Sequence, residues 1–360
     1  MGQMRVLIIA DDLTGALDSA VTLAGGGRRC LVARRPADVA AALARRPDVL
    51  AVSTASREGE AGAARAAVRA ALDAVGTLPP IVFKKVDSRL KGHVAAEVAV
   101  VAERAGLGRA LLAPAIPAQG RVVVDGLMTG AGVAAPIDVA AAFAATGLAS
   151  VVPDTRDAAE FDAALAAALA PGAEPALLVG AAGLAGAVAR RLDPAPSAPV
   201  ARLAAPILLA IGSHDPITIA QMEYLAGRGG VEAEQAPDGA CPPADTGAAA
   251  RLIRLVPAPG RPFDARTAGP RFATEVAALL RAGRFGTLFA CGGETADSVL
   301  GALGEGVLAV EGELLPGVPV STMVGGETGL RFVTKSGGFG GVDALSRVVA
   351  ATQGTLEGAR

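Results

Sequence analysis

The segment RVLIIADDLTGALD (5–18) joins an apolar run to two adjacent acids and a stretch of helical composition. The run at 5–10 predicts a buried strand, and residues 15–24 predict the helix that follows it. In an open parallel sheet, ligands bind beyond the carboxyl ends of the strands, so Asp11 and Asp12 lie where a ligand site is expected. A simpler interpretation is that one of the two aspartates only caps the helix.

The same alternation of short apolar runs and alanine-rich stretches continues along nearly the whole chain. It predicts an α/β protein whose mostly parallel sheets are covered by helices on both faces. Loops are expected at 236–249 and 257–262. Further strands are predicted at 30–33, 49–53, 81–86, 111–113, 207–211, 252–256, 287–290 and 330–333, and further helices at 37–45, 61–75, 93–105, 216–228 and 271–282.

The length of 360 residues predicts two domains. The proline-rich segment DPAPSAPVARLAAP (193–206) has no hydrophobic periodicity and is interpreted as the linker between them. We therefore expect domains at 1–195 and 196–360, each a mostly parallel sheet flanked by helices.

Composition excludes several classes of function. The chain has 33 Lys and Arg against 35 Asp and Glu, no Trp and one Tyr, which disfavours nucleic acid as a partner. Its uncharged stretches are too short for a spanning helix, so no membrane is expected. Three widely spaced cysteines and two histidines disfavour disulfides and structural zinc. The apolar run at the N-terminus is too short for a secretory signal, which predicts a cytoplasmic protein.

The segment KKVDSRLKG (84–92) places four cations and one acid, Asp87, at the end of a predicted strand. Such a local excess of positive charge suits a small anionic ligand. Arg89 could form a bidentate pair with a carboxylate, and Lys85 or Lys91 would add charge. The alternative is a solvated loop.

The segment APAIPAQGR (113–121) also follows a predicted strand. Its two prolines stiffen the loop, and Gln119 and Arg121 are its strong hydrogen-bonding side chains. A rigid loop that presents an amide and a guanidinium is suited to ligand recognition.

Three glycine-rich turns follow predicted strands in the second half: GSHDP (212–216), CGGET (291–295) and KSGGFGG (335–341). Glycines allow the backbone to approach a ligand, and helix N-termini attract anions. Lys335 could bridge phosphate oxygens as the lysine of a P-loop does, although the P-loop string itself is absent. Each turn alone could be a plain turn, but together they favour a nucleotide phosphate site.

These segments, in this order, resemble the four-carbon acid sugar kinase family of tetronate and oxo-tetronate kinases. The resemblance rests on IADDLTGALD (9–18), KVDSRLKG (85–92), APAIPAQGR (113–121), CGGETADSV (291–299) and KSGGFG (335–340). It implies a sugar-acid domain, an ATP-binding domain and an active site in the cleft between them. By motif, the substrate side comprises Asp12, Lys85, Asp87, Arg89 and Arg121, and the nucleotide side Ser213, Gly292, Gly293, Glu294, Thr295, Gly337 and Gly338.

The resemblance predicts ATP-dependent phosphorylation of a hydroxyl, expected to be the terminal one, of threonate, erythronate or 3-oxo-tetronate. The acid's carboxylate is expected against Arg89, Lys85 or Arg121, and Asp12 or Asp87 would accept the hydroxyl proton. Lys335 and Mg²⁺ would offset the triphosphate charge, with the metal ligands left open. Asp11, Lys91 and Gln119 complete the expected substrate contacts.

The sequence leaves two other classes of function open. It also allows a homo-oligomer. The alternation and the glycine-rich turns also fit an NAD-dependent dehydrogenase of a small hydroxy acid, although the first strand lacks the G-x-G-x-x-G fingerprint. A non-catalytic sensor of a sugar acid or nucleotide is the second alternative. The chain also departs from the family's usual pattern at Arg89-Leu90-Lys91 and after Arg121, which leaves the substrate's identity open.

Overall fold

Two compact units make up the chain, Met1–Ala198 and Pro199–Arg360. Both are α/β, with mostly parallel strands and flanking helices, as the sequence predicts. The predicted boundary at 195/196 and most of the predicted linker 193–206 lie outside the described residues. The computed structural model describes residues 4–193, 202–243, 247–260, 262–326 and 329–353.

The first unit contains β1 (Val6–Ala10), α1 (Leu13–Thr22), β2 (Cys30–Ala33), α2 (Val39–Ala44), β3 (Val49–Ser53), α3 (Ala61–Val75), β4 (Ile81–Lys85), α4 (Val94–Ala105), β5 (Arg109–Ala113), β6 (Arg121–Val124), β7 (Leu127–Gly130), β8 (Ile137–Asp138), α5 (Val139–Phe143), β9 (Ala149–Val151), α6 (Ala158–Ala168), β10 (Ala176–Gly180) and α7 (Ala182–Leu192). Its parallel strands follow the order β2-β3-β1-β4-β10-β5-β9. Right-handed crossovers then place α1 and α6 on one face and α2, α3 and α4 on the other. The observed packing agrees, because α7 contacts both α1 and α6, and α3 contacts both α2 and α4.

A small antiparallel sheet of β6, β7 and β8 interrupts the first unit after β5. β6 and β7 form a hairpin whose two turn residues, Asp125 and Gly126, have φ of +49° and +77°. Positive φ at both positions is what a tight hairpin turn requires. The sequence pattern predicts a recognition loop at 113–121 and no element at 122–138, so this sheet is not among its predictions.

The second unit contains β11 (Ile207–Ile211), α8 (Pro216–Arg228), β12 (Glu232–Pro237), β13 (Ala250–Val256), α9 (Ala265–Arg281), β14 (Thr287–Cys291), α10 (Gly293–Leu303), β15 (Val307–Leu315), β16 (Val318–Met323), β17 (Arg331–Lys335) and α11 (Ala344–Thr352). Its strands follow the order β12-β13-β11-β14-β17-β16-β15. The five strands β12, β13, β11, β14 and β17 are parallel. β16 runs antiparallel to both of its neighbours, β17 and β15. The sheet is therefore mixed but mostly parallel.

Three sequence predictions of element limits need correction. The predicted loop at 236–249 is wrong at its start, because β12 extends through Pro237 as an edge strand with alternating exposure. The strand expected at 330–333 continues to Lys335, whose side chain is buried inside the unit. The helix expected at 271–282 begins earlier, at Ala265, because Asp264 caps it by accepting from the Arg266 N–H.

Candidate functional site

The two aspartates that follow β1 share one guanidinium. Arg57 Nε and Nη2 donate to the two carboxylate oxygens of Asp11 at 2.7 and 2.8 Å. Its Nη1 and Nη2 donate to those of Asp12 at 2.8 and 3.0 Å. The bidentate geometry of arginine thus holds two like charges side by side in a partly desolvated place.

The pairing of Asp11 with Arg57 shifts the pKa of both groups. Burial by itself would raise the pKa of the Asp11 carboxyl, but the hydrogen bonds from Arg57 and the charges of Lys84 and Arg57 outweigh it, so the pKa lies below the ordinary value. Burial would lower the pKa of Arg57, and the two aspartates raise it instead. Asp11 and Arg57 are therefore both charged at neutral pH.

Asp12 also caps α1. Its carboxylate accepts from the backbone N–H of Gly15 at 2.8 Å and from Thr14 Oγ1 at 2.7 Å. The helix-cap interpretation of the aspartate pair is confirmed for Asp12. The same carboxylate is paired with Arg57, so capping is only part of its role.

Sequence reasoning missed Arg57. The residue follows β3, which lies beside β1 in the sheet, so its side chain reaches the aspartates across 45 residues of sequence. The available signal was its position just after a buried strand, the same signal that identified Asp11 and Lys85. Its partners depend on strand order, which the sequence pattern did not contain.

The loop after β4 brings a third acid to the same edge. Asp87 Oδ2 lies 3.8 Å from Arg57 Nη1, and its Oδ1 accepts from the Arg89 N–H at 2.9 Å. The Arg89 side chain is partly exposed, and Lys91 is exposed with its N–H 3.5 Å from Asp87 Oδ1. Asp87 and Arg89 therefore belong to one cluster with Arg57, whereas the Lys91 ammonium lies toward solvent.

The two lysines that end β4 are buried. Lys85 Nζ donates to the Val86 carbonyl at 2.8 Å and lies beside Gly15, where an added Cβ would be 3.1 Å away. Lys84 is fully buried and pairs with Glu97 at 2.7 Å. The positive excess that the sequence indicates is thus smaller than four charges, since Lys84 is neutralised inside the unit.

Arg121 and Arg89 are near enough for the charge of one to act on the other. Arg121 is buried, with Nε donating to the Ala131 carbonyl at 2.8 Å and Nη1 donating to Ser88 Oγ. Burial and then the positive charge of Arg89 lower the pKa of the Arg121 guanidinium. A bound anion between these two arginines would relieve both effects.

Two further polar groups belong to this region. Gln119 Oε1 is buried and, within the described part of the chain, has no hydrogen-bond partner. On α1, burial raises the pKa of the Asp18 carboxyl, which the charges of Lys85 and Arg121 partly offset. The sequence interpretation quoted Asp18 in a motif and gave it no role.

In the second unit the three glycine-rich turns follow the neighbouring strands β11, β14 and β17. They pack closely enough that two of their glycines leave no room for a Cβ. A Cβ on Gly212 would overlap Thr295 Oγ1, and a Cβ on Gly337 would overlap Ser213 Oγ. The structure therefore brings the predicted nucleotide residues Ser213, Thr295 and Gly337 together.

The N-terminus of α10 starts at this junction. Gly292 precedes it with φ +106°, a conformation that favours glycine, and Gly293 and Glu294 form its first turn. Gly338 lies on the other side, where a Cβ would be 3.3 Å from Asp215 Oδ2. A helix N-terminus beside two glycine turns has the partial positive charge that suits an anion.

Lys335 supports the third turn from beneath. Its buried Nζ donates to the carbonyls of Ser336, Gly337 and Phe339 at 2.9 to 3.0 Å. Burial lowers the pKa of Lys335, and the neighbouring Cys291 and Asp215 partly offset that effect. This geometry makes Lys335 a clamp on the loop, and its predicted contact with phosphate stays a prediction.

Gln221 completes the clamp by donating to the carbonyls of Phe339, Gly340 and Gly341 at 2.9 to 3.1 Å. In a trans peptide the carbonyl of one residue and the N–H of the next point to opposite sides. With these carbonyls turned toward Lys335 and Gln221, the N–H groups of Gly337, Gly338, Gly340 and Gly341 point away from the clamp. Successive N–H groups of this kind bind phosphate.

A cavity of about 360 Å³ opens beside these turns in the second unit. Gly212, Glu294 and Thr295 form one side of it, and Phe263 and His214 form part of another. The two rings lie 5.6 Å apart at 70°. Its volume lies in the range of sites for small organic ligands.

Neither a metal cluster nor a membrane span is evident in the described residues. No group of three His, Cys, Asp or Glu side chains there could hold a metal ion. No helix in that part of the chain is long and apolar enough to cross a bilayer.

Models of two known domain families match separate parts of the chain. A family model of a sugar-binding N-terminal domain matches residues 6–137, and one of a nucleotide-binding C-terminal domain matches residues 245–345. A sugar-binding domain followed by a nucleotide-binding domain is the combination expected of a carbohydrate kinase. The chain belongs to the four-carbon acid sugar kinase family, as the sequence motifs predict.

Curated relatives cover nearly the full length. The chain is 34% identical to the D-threonate kinase of Cupriavidus necator, over 95% of this chain and 96% of the relative. It is 32% identical to the D-threonate kinase of Bordetella bronchiseptica, over 98% of both chains. The predicted enzyme class, an ATP-dependent sugar-acid kinase, is confirmed, which decides against the dehydrogenase and the sensor.

Solved structures share the fold. A Salmonella typhimurium LT2 protein superposes with a TM-score of 0.76 at 18% identity, over 96% of this chain and 98% of the other. A Haemophilus influenzae protein gives 0.68 at 20% identity, over 98% and 100%. At these identities the likeness concerns the fold alone.

Proposed function

We propose that the protein transfers the γ-phosphate of ATP to D-threonate. The support is the full-length similarity to three D-threonate kinases, at 29 to 34% identity. A similarity to a D-erythronate kinase of Heliobacterium modesticaldum covers only 34% of this chain, which makes D-erythronate the second candidate.

The arrangement of Arg89 and Arg121 carries the assignment of the acid's carboxylate. The two guanidinium groups repel each other, and burial adds to the cost of charging Arg121. A carboxylate bound near both guanidinium groups would offset their repulsion, with the buried Gln119 Oε1 available for a hydroxyl of the acid. Lys85 and Asp11 would then line the site from below, and Lys91 would contribute from solvent.

Of the two candidate bases, the hydrogen bonding favours Asp87. Both oxygens of Asp12 already accept hydrogen bonds, from Arg57, Thr14 and Gly15. Asp87 Oδ2 faces Arg57 at 3.8 Å, beyond hydrogen-bond distance, and can accept a proton from the attacking hydroxyl. Asp12 with Arg57 would instead orient that hydroxyl.

On the nucleotide side, the outward N–H groups of the clamped loop and the N-terminus of α10 would hold the phosphates, near Ser213 and Thr295. The neighbouring cavity would take the nucleoside. Magnesium commonly binds one or two carboxylates together with substrate phosphates. Asp215 beside Gly338 fits that pattern and would hold Mg²⁺, which offsets phosphate charge. A cytoplasmic location and a homo-oligomer remain predictions.

The test is a screen for ADP release with D-threonate, L-threonate, D-erythronate and 3-oxo-tetronates, with the phosphorylated position read by ³¹P NMR. We expect D-threonate to give the highest kcat/KM and the phosphate to be on the terminal hydroxyl. Turnover of another acid alone would contradict the substrate assignment but not the enzyme class. ATP consumption without any phosphorylated acid would contradict the proposed transfer.

A further inference from the structure

A buried polar chain runs beneath the aspartate cluster of the first unit. Glu97 on α4 and Lys84 on β4 are both buried, and Lys84 Nζ lies 2.7 Å from Glu97 Oε2. The other oxygen of Glu97 accepts from Ser56 Oγ at 2.5 Å. Lys84 also donates to the Lys85 carbonyl at 2.7 Å, so both ions are hydrogen-bonded on several sides.

The chain continues from Ser56 to the end of β1. Ser56 Oγ lies 2.7 Å from Thr54 Oγ1, which donates to the Ala10 carbonyl at 2.9 Å. The backbone N–H groups of Thr54 and Ser56 donate to the carbonyls of Ala10 and Asp11, both at 2.9 Å. The segment immediately before Arg57 is thus fastened to the segment that carries Asp11.

Stability alone does not account for this ion pair. Removing two charges from water is costly, and apolar side chains of similar volume commonly serve equally well. Apolar residues are buried on the same helix, with Val98 next to Glu97 and Val101 one turn further on. Ser56 donates to Glu97 and directly precedes Arg57 in the chain. The ion pair can therefore fix the position of Arg57, which non-directional apolar packing would not do.

We propose that Glu97 is a positioning residue for the sugar-acid site: through Ser56 it fixes Arg57 against Asp11 and Asp12, while Lys84 balances its charge. The inference rests on the proposed function, in which these two aspartates and Arg57 orient the acceptor. It predicts that the pair controls how the acceptor binds and leaves ATP binding unchanged.

The double substitution Lys84→Met with Glu97→Leu keeps the interior filled and removes both members of the ion pair, and Ser56→Ala separates loss of the link to Arg57 from loss of the Lys84 charge near Asp11. We expect the unfolding midpoint of the double variant to stay near that of the wild type, whereas KM for D-threonate rises about tenfold or more as the alignment of Arg57 is lost. KM for ATP should not change. Ser56→Ala, which removes the link alone, should give a smaller shift in the same direction.

The control is Val98→Ala on the same helix, which should lower the unfolding midpoint and leave both KM values unchanged. Wild-type kinetics in a folded double variant, or equal increases of both KM values, would overturn the positioning role. If the double variant does not fold, Ser56→Ala decides, and an unchanged KM for D-threonate would overturn it.

A second readout does not depend on turnover. In ¹⁵N-arginine-labelled protein, the Nε–H resonance of Arg57, assigned with Arg57→Lys, should shift and exchange faster in the double variant and in Ser56→Ala. An unchanged resonance in Ser56→Ala would overturn the inference. Inactive wild type with every four-carbon acid would instead contradict the proposed function, and the Arg57 resonance would still decide the role of Glu97.

Discussion

One guanidinium serves two carboxylates in the first unit, and this makes Arg57 the most consequential single side chain of the site. Its three nitrogens all donate to Asp11 or Asp12. Without it, two adjacent carboxylates would repel each other, with Asp11 buried. The arginine therefore stabilises two adjacent carboxylates at the end of β1, where we propose that the acceptor hydroxyl binds.

Replacing Arg57 with Gln should destabilise the protein in a pH-dependent way. Asp11 has a lowered pKa in the folded state, so the pair's stabilisation is fully present above the ordinary pKa of 3.8 and is lost as the pH falls through the folded-state pKa. We expect a loss of about 3 kcal/mol at pH 7. The loss should shrink toward acid pH, because a protonated Asp11 needs no cation. Urea unfolding between pH 7 and pH 3 measures it.

Arg69→Gln is the matched control. Arg69 pairs with Glu103 at 3.3 Å on the surface, with both side chains mostly exposed. Its loss should cost no more than about 1 kcal/mol at any pH. A loss for Arg57→Gln that is equally large at every pH would show that the charge of Asp11 is not what the arginine stabilises.

Asp87→Asn should abolish most of the turnover. An asparagine keeps the size of the side chain and cannot accept the proton, so kcat should fall by about 100-fold or more with little change in KM for either substrate. Asp73→Asn on α3, an exposed aspartate, serves as the control. Steady-state kinetics would contradict the assignment if Asp12→Asn, which preserves the helix cap, reduced kcat more than Asp87→Asn.

At the scale of elements, both candidate sites are loops held by side chains from the strands and helices beneath them. Lys335 at the end of β17 and Gln221 on α8 hold the carbonyls of the glycine loop. Such loops are preorganised, since their backbone is fixed before a ligand arrives.

Gly337→Ala should weaken ATP binding. The new methyl group would overlap Ser213 Oγ and approach Asp215 Cβ to 3.2 Å, so the Ser213 side chain must rotate and the two turns must separate slightly. We expect KM for ATP to rise about tenfold or more, because displaced N–H groups no longer match the phosphates. KM for the sugar acid should not change.

Gly227→Ala provides the control in the same unit. Gly227 lies on α8, and no atom of the described residues, outside its chain neighbours and the backbone of its own helix, comes within 4 Å of its Cβ position. Alanine favours helix there, so stability should stay equal or rise by up to about 1 kcal/mol without a kinetic effect. ATP kinetics equal to wild type in Gly337→Ala would show that the loop is not the phosphate site.

The sequence predicts the strands whose ends carry the charged side chains of the site. It does not predict which side chains from different strands contact one another. Apolar runs followed by charge identified β1 and β4 with Asp11, Asp12 and Asp87. Arg57 escaped because its role requires β3 to lie beside β1. Lys84 and Lys335 looked like free cations because their partners lie elsewhere in the chain. The hairpin of β6 and β7 had a readable signal, Asp125-Gly126, that the interpretation overlooked.

For the whole molecule, the two substrates should protect different units from hydrogen exchange. An unreactive ATP analogue should slow exchange at 292–295 and 336–341, where N–H groups would bind phosphate. D-threonate should slow exchange at 86–92 instead. Mass-spectrometric exchange of the intact protein measures both, with β12 as a segment expected not to respond. If D-threonate, added without nucleotide, protected the second unit, the proposal that each unit binds one substrate would be contradicted.

Arg121 begins the small antiparallel sheet and yet donates to Ser88 in the loop after β4. It also donates to the Ala131 carbonyl, just beyond β7. The β6–β7 hairpin and the 86–92 loop, which both belong to the proposed sugar-acid site, are therefore linked through the Arg121 side chain. Among relatives that diverge in the acid they accept, residues of the hairpin and of the 86–92 loop should consequently change in concert, and transplanting either one alone into this enzyme should produce a mismatched hybrid.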